Sequence, residues 1–414
     1  MKRIVITGFG IVSSIGTTEK NIVKLLKEGI SGIIFSKKMK KYGLHSTVWG
    51  KISSRKMNQI PKKFLRFMNF ASIYSYLSLQ DAIKDSKLYP EIYMKNPRVG
   101  IIMGSGSGSF KLNTYWCNKK KNNVNKISPY VAIKNMTSSI SACLGTFFKI
   151  YGINYSISSA CSTSAHCIGN AYELISLGKQ DIIFAGGGEE LSVELACQFD
   201  AMRILSVRFN KTPERSSRAF DENRDGFVIS GGSGVVVLEE LNFALSRNAK
   251  IYAEVIGYGA TCDGYDIVHP SGDGFVRCMN YATKNIKHSV DYINAHGTST
   301  KIGDMKELDA IKKVFSGFRI PYISSTKSIT GHSLGASGVQ EIIYTMLMIK
   351  YNFIAPSINI DFLDPIGYNM NIVTKSINTT INVAISNSFG FGGTNASLAI
   401  QKYYKIDNYF KSFI

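Results

Sequence analysis

Along most of the chain, short β-branched runs alternate with stretches in which apolar residues recur every third or fourth position. The runs RIVITGF (3–9), VGIIMGS (99–105), DIIFAGG (181–187), GVVVLEEL (234–241), YINAHG (292–297) and VAISNSF (383–389) predict strands. Helical spacing predicts helices over 64–85, 163–177, 305–315 and 338–350. Strands taking turns with helices predict an α/β fold whose sheets are covered on both faces. A weak internal echo runs through this pattern. Near residue 160 a strand (154–159) runs into a small-residue turn and a helix; near 390 another strand runs into a glycine-rich turn followed by small residues. Two halves of comparable size, 1–250 and 251–404, would account for the echo. SGFRIPY (316–322) reads as a connecting loop and 405–414 as a tail. The opening MKRIVITGFGIVSSIG has the basic start and apolar run of a secretion signal. Gly8 and Gly10 interrupt that run and no cleavage box follows, so it reads as a first strand entering a glycine turn.

Composition narrows the class. A hydrophobic content of 44% against 19% charged residues describes a globular chain with a large core. No run reaches the roughly 18 apolar residues of a membrane helix, so no membrane insertion is expected. Seven cysteines (117, 143, 161, 167, 197, 262, 278) are scattered, odd in number and without a C-x-x-C pair. That argues against a disulfide scaffold and a zinc site, and for a reducing, cytoplasmic setting in which nearly all of them are core residues. The net charge of +20 would suit nucleic acid, a membrane surface or an acidic protein. Lysine dominates it, alongside Ile, Asn, Tyr and Phe, all encoded by A/T-rich codons. Base composition therefore accounts for part of the charge.

The candidate chemistry centres on NYSISSACSTSAHCIGN (154–170). With a strand before it and a helix after it, Cys161 stands at a helix N-terminus, where unpaired N–H groups favour a thiolate. Ser159, Ala160, Ser162 and Ser164 are small enough to admit a bulky acyl group. A buried structural cysteine is the plainer alternative. His296, in NAHGTST, and His332, in TKSITGHSLGASG, each follow a β-like run and adjoin glycine, a setting that puts both at strand ends facing a cavity. One oriented histidine would suit a thiol protease; two suggest paired donors to one developing oxyanion. Lys327 and Glu341 read either as a semi-buried pair tuning the histidines or as two solvated charges. NSFGFGGTN (387–395) offers backbone N–H groups to an anion or is a tight loop. GSGSGS (104–109) lacks the ending of a phosphate loop and the spacing of a dinucleotide site, and reads as a close-packed turn.

Six stretches in order, SSACSTSAHCIGNA, FAGGGEE, FDENRDGFVISGGSGVVVLEELNFAL, NAHGTSTKIGDMKEL, TKSITGHSLGASGVQE and NSFGFGGTNAS, resemble the β-ketoacyl-acyl carrier protein synthases. The likeness runs from Lys2 to about Lys402, and TSAHCIGN and GGGEE look more like the type I elongating enzymes than type II. The initiating type III enzymes differ by pairing histidine with asparagine. The resemblance implies a thiolase-like fold in five layers, αβαβα, with two pseudo-duplicated halves and a homodimer. It implies that Cys161 takes an acyl chain from acyl carrier protein, and that His296 and His332 hold the malonyl thioester carbonyl and promote loss of carbon dioxide. The carbanion then attacks the acyl thioester and lengthens the chain by two carbons. Lys327 and Glu341 would be an ion pair beside the second histidine. Backbone N–H groups of Cys161 and Phe391 would form the oxyanion hole, with Phe391 also a gate. Phe227 would face malonate, and Thr298 and Thr300 would contact the phosphopantetheine arm of the carrier. No dissociable cofactor and no metal are implied.

Acyl carrier protein is acidic, which offers a partner for the surface charge. PKKFLRF (61–67) resembles a carrier-docking segment, making Lys62, Lys63 and Arg66 candidates, with Lys119, Lys120, Lys121 and Lys126 as a possible extension. Three other classes compete. A nucleic-acid binder would show Arg-rich or aromatic-interleaved stripes, and none is evident. A thiol hydrolase would turn over acyl thioesters without a malonyl donor. An inactive relative would lack part of the Cys161, His296 and His332 set.

Overall fold

The computed structural model describes residues 2–52, 59–109, 128–286 and 288–404. Cys117, the lysines at 119–121 and 126, and the 405–414 segment lie outside the described residues. Ten strands form one mixed sheet: β1 (Ile4–Val12), β2 (Val99–Gly104), β3 (Asn154–Tyr155), β4 (Ile182–Glu189), β5 (Gly232–Glu240), β6 (Ala253–Cys262), β7 (Tyr292–Asn294), β8 (Tyr322–Ser324), β9 (Val383–Gly390) and β10 (Thr394–Gln401). Their spatial order is β8-β7-β9-β10-β6-β1-β5-β4-β2-β3. Outward from the centre, one half reads β1-β5-β4-β2-β3 and the other β6-β10-β9-β7-β8. In both, two antiparallel pairings are followed by two parallel ones. The halves join where β1 pairs antiparallel with β6 at Ile4–Val255, Val5–Glu254 and Ile6–Ala253. The topology therefore repeats, but not in the pairing the sequence echo suggested: the strand before Cys161, β3, corresponds to β8, and β9, which ends near 390, corresponds to β4.

Helices cover both half-sheets and fill the space between them. On one outer face, α1 (Phe70–Asp85) packs on β1, β5 and β4; on the other, α3 (Asp273–Thr283) packs on β6 and β10, with α4 (Lys301–Val314) beside it. Between the half-sheets lie α2 (Thr163–Ser176) and α5 (Ser337–Tyr351), touching each other and strands of both halves. This is the five-layered α/β arrangement. The central position explains the composition of α5: every residue from Ser337 to Ile349 is buried, as an all-round apolar helix requires. Close approach needs small residues at the contact. A Cβ on Gly338 would stand 2.9 Å from the Cβ and the backbone N of Ala165 on α2.

Both central helices start in the same way. Each is preceded by one 3-10 turn, Ala160–Ser162 before α2 and Leu334–Ala336 before α5, whose first residue is left-handed (Ala160 φ 48°, Leu334 φ 49°). A side chain in that conformation costs about 1–2 kcal/mol, so it persists only where the surroundings enforce it. The two turns touch. Residues that sit at 161 and 332 are thereby brought together although 171 positions separate them.

Three local expectations shift. The helix expected over 64–85 is two pieces, Lys62–Leu65 and α1, because the Asn69 side chain accepts from Ser72 N at 2.8 Å and starts a new helix. The strand expected over 154–159 pairs only at Asn154–Tyr155, the chain then turning into the Ala160 elbow. Cys143, Cys167 and Cys278 are core residues, whereas Cys197 and Cys262 are exposed. Among the described residues, no helix is long and apolar enough to cross a membrane.

Candidate active site

Cys161 lies on the floor of a cavity of about 420 Å³, lined also by Phe227, His296, Thr298, Thr300, His332, Phe389 and Phe391. Its Sγ is 3.1 Å from His332 Nε2. The two imidazoles meet edge to face with ring centroids 5.3 Å apart. Sγ and one nitrogen of each ring all lie within 4.8 Å of one another. His332 is pinned by its backbone, which donates to Val228 O at 2.8 Å and accepts from Ser230 N at 2.9 Å; its Nδ1 is 2.9 Å from Ser337 Oγ. His296 is pinned by Glu307, whose two oxygens accept from His296 N and Gly297 N, both at 2.8 Å.

Lys327 and Glu341 are both buried and form a direct ion pair. The expectation put this pair beside the second histidine; instead Lys327 Nζ lies 3.4 Å from Nδ1 of His296, the first. The reason is topological. Lys327 follows β8, which pairs with the β7 strand that leads to His296. An ammonium can only donate, so Nδ1 of His296 accepts and the ring proton sits on Nε2. Burial, then Lys327, hold both imidazoles well below their ordinary range, so both are neutral at pH 7.

The thiol departs from the expectation of a thiolate. Burial pushes Cys161 up to about 12, Glu189 and Glu341 adding to the rise and Lys327 opposing it. A helix N-terminus contributes about 0.3–1 kcal/mol, up to ~2 in partly buried geometries. Burial is the largest influence on the thiol and outweighs that contribution, so its net displacement is upward. At rest the centre is a neutral thiol against a neutral imidazole.

The glycine-rich turn is the tip of the β9–β10 hairpin, closed by Gly390 opposite Thr394. Gly392 N donates to Ile267 O at 2.7 Å, so that amide is engaged by the neighbouring loop rather than open to an anion. Gly390 passes tightly over the elbow: a Cβ there would lie 3.2 Å from Cys161 N and 3.1 Å from Ser159 O. Phe391 is partly exposed at the cavity wall, while Phe227 is buried edge-on to His332 at 5.4 Å. Thr298 and Thr300 present Oγ1 atoms 3.0 Å apart on the same wall. Lys62, Lys63 and Arg66 are exposed on and next to a short helix and do not line the cavity; Arg66 lies over the rings of Phe67 and Tyr130.

Sequence reasoning missed two buried acids. Glu307 holds His296, and burial raises it to about 7. Glu189 is fully buried, accepts from the hydroxyls of Ser105 and Ser107 and from the amides of Gly106 and Gly335, and is also raised to about 7 by burial. The GSGSGS turn thus directs its donors at a carboxylate of the protein itself. Acidic residues inside otherwise apolar or glycine-rich motifs, GDMKEL and AGGGEE, were the available signal.

A sulfur that can carry an acyl group, facing two imidazoles that can hold a second carbonyl, defines a thiol-based condensing enzyme on a thiolase-like frame. The chain belongs to the β-ketoacyl synthase family: residues 1–244 match the beta-ketoacyl synthase N-terminal domain and 252–361 the C-terminal domain. It is similar to the 3-oxoacyl-[acyl-carrier-protein] synthase 1 of Buchnera aphidicola subsp. Acyrthosiphon pisum, with 61% identity across 97% of this chain and 100% of the relative. The Escherichia coli K12 protein of the same name is 56% identical over 97% of this chain and 99% of its own. Among solved structures, a beta-ketoacyl synthase from Burkholderia phymatum superimposes with a TM-score of 0.92 at 31% identity, covering 98% of this chain and 100% of that one. A type II polyketide ketosynthase solved with its acyl-carrier protein gives 0.88 at 26% identity, covering 97% and 100%.

Proposed function

We infer that the catalytic cycle of this chain runs on Cys161, His296 and His332. The protein is an acyltransferase of fatty-acid synthesis that lengthens acyl chains by condensation. In the first half-reaction the Cys161 thiol attacks an acyl thioester borne on the phosphopantetheine of acyl carrier protein. The C–S bond to the carrier breaks, one to Cys161 forms, and the carrier leaves as a free thiol. His332 Nε2, 3.1 Å from Sγ, takes the proton of the attacking thiol and returns it to the leaving one. Local proton transfer of this kind suits a thiol too buried to ionise alone.

In the second half-reaction a malonyl thioester carbonyl lies between the imidazoles. Loss of carbon dioxide leaves an enolate oxygen, which both Nε2–H groups stabilise. Lys327 keeps that proton on Nε2 of His296. Ser337, a hydroxyl that can donate or accept, lets His332 act as base first and donor afterwards. The carbanion attacks the acyl-Cys161 carbonyl, its oxyanion resting on the amides of Cys161 and Phe391. The new C–C bond expels the Cys161 thiolate, which takes its proton from solvent, the one proton that loss of carbon dioxide from a carboxylate consumes overall. Phe227 faces the malonyl group, and Thr298 and Thr300 receive the phosphopantetheine arm. The half spanning 1–250 supplies the nucleophile and that spanning 251–404 both histidines.

Acyl carrier protein as partner fits the net charge of +20 and the exposed Lys62, Lys63 and Arg66. A homodimer fits the exposed edge strand β3 at the end of the sheet. Both belong to a cytoplasmic enzyme. The observation that carries the reading is the convergence of one sulfur and two imidazole nitrogens within 4.8 Å. Cys161→Ala should abolish acyl transfer from a radiolabelled acyl-carrier. Cys161→Gln, which mimics the acylated thiol, should keep releasing carbon dioxide from malonyl-carrier without condensation product. Full condensation by Cys161→Ala would end the assignment.

A further inference from the structure

Thr298 and Thr300 sit on an irregular arch, 297–301, between β7 and α4, and a hydroxyl pair is useful only if its backbone is held still. Ser299 at the crown is left-handed, with φ 70°. Its carbonyl accepts from Gly226 N at 3.1 Å and its Oγ from Arg218 N at 3.1 Å. Beneath the arch lies Arg224, only 1% exposed. Its Nε donates to Thr300 O at 3.0 Å and its Nη2 to Lys301 O at 2.8 Å. Nη1 donates to Asp221 O and to Asp364 Oδ2, both at 2.7 Å. The guanidinium also faces Asp304, 3.5 Å away, whose oxygens accept from Ser299 N at 3.1 Å and Phe220 N at 3.0 Å.

We propose that Arg224 is a positioning residue for the carrier arm: its planar fork clamps two successive carbonyls of the arch and holds Thr298 and Thr300 on the cavity wall. The fork is the reason for arginine. Lysine offers one point charge and cannot bridge the carbonyls of Thr300 and Lys301 while engaging two aspartates. Arg224 touches neither the sulfur nor an imidazole and does not line the cavity, so its effect falls on binding of the arm rather than on the reacting atoms. This rests on Thr298 and Thr300 receiving the arm.

The test measures kcat and KM with malonyl-carrier for wild type, Thr298→Val and Arg224→Lys, together with the rate at which iodoacetamide alkylates Cys161. Loss of one net hydrogen bond of about 1.4 kcal/mol is a tenfold change. Arg224→Lys should therefore raise KM about tenfold, with kcat and the alkylation rate within about twofold of wild type. Thr298→Val should raise KM in the same direction. If Thr298→Val leaves KM unchanged, the arm reading itself fails. If Thr298→Val raises KM and Arg224→Lys does not, the positioning role is overturned. It is equally overturned if Arg224→Lys lowers kcat and alkylation together, the signature of a general structural loss. Should Arg224→Lys not fold, Asp364→Asn removes one anchor of the same guanidinium at a partly exposed position. KM then rises about threefold, or the inference falls.

Discussion

Replacing Lys327 by methionine keeps the length of the side chain and removes its charge. Three consequences follow from the geometry. First, Nδ1 of His296 loses the donor 3.4 Å away, and the ring is free to place its proton there instead of on Nε2. Loss of one oxyanion donor typically costs about 2.7–4 kcal/mol, or 10²–10³ in rate. Decarboxylation of malonyl-carrier should fall by that factor. Second, two unit charges 3.4 Å apart repel by roughly 5 kcal/mol at an effective dielectric of about 20. That repulsion helps to keep the histidines neutral. The depressed imidazoles of the wild type stay neutral as pH falls; without Lys327 they gain protons at higher pH, and the acid limb of acyl transfer moves upward. Third, Glu341 loses its partner. Breaking a buried pair costs about 3–5 kcal/mol. Burial already raises Glu341 to about 7, so near neutrality it takes up a proton instead of standing as a lone charge. The double variant Lys327→Met/Glu341→Gln should recover stability in thermal unfolding but not decarboxylation. The assay is release of labelled carbon dioxide from malonyl-carrier across pH 5–9. A folded Lys327→Met enzyme that decarboxylates within about threefold of wild type would refute the tautomer argument.

Gly390→Ala places a methyl 3.2 Å from Cys161 N and 3.0 Å from Thr394 Cγ2, so it should slow condensation about tenfold or more while thermal stability changes little; undiminished condensation would remove the Cys161 amide from the oxyanion hole. Because burial raises the Cys161 thiol to about 12, its alkylation by iodoacetamide should climb about tenfold per pH unit from 7 to 10, and a plateau below pH 8 would contradict this. Glu189→Gln removes a charge that raises the thiol, so alkylation at pH 8 should quicken. Carrier association should weaken as salt rises from 50 to 500 mM, and Lys63→Glu should weaken it at low salt; indifference to both would dismiss the docking segment.

Periodicity made most of the frame legible, because strands buried on both faces read as continuous apolar runs and the central helices as long apolar segments. Local chemistry also marked the elbow: Cys161 among serines and alanines, each histidine beside a glycine. The resemblance assigned roles that spacing alone left open. Sequence did not disclose which side of the site the ammonium serves. Lys327 is only 5 residues from His332 along the chain, yet strand pairing carries it to His296, 31 positions away. Nor did it disclose the thiol's protonation, since a helix N-terminus is local whereas desolvation depends on every group packed around the sulfur. The acids Glu189 and Glu307 and the guanidinium of Arg224 are as charged as any surface residue in a composition count. Only the fold shows that each is enclosed, with backbone amides or carbonyls as partners. The chain by itself thus determined the elements and the inventory of reactive groups, because these follow from short-range pattern. Which groups meet, and in what protonation state, was decided by the doubled sheet and its two touching helix starts, because contact and dielectric are properties of three dimensions.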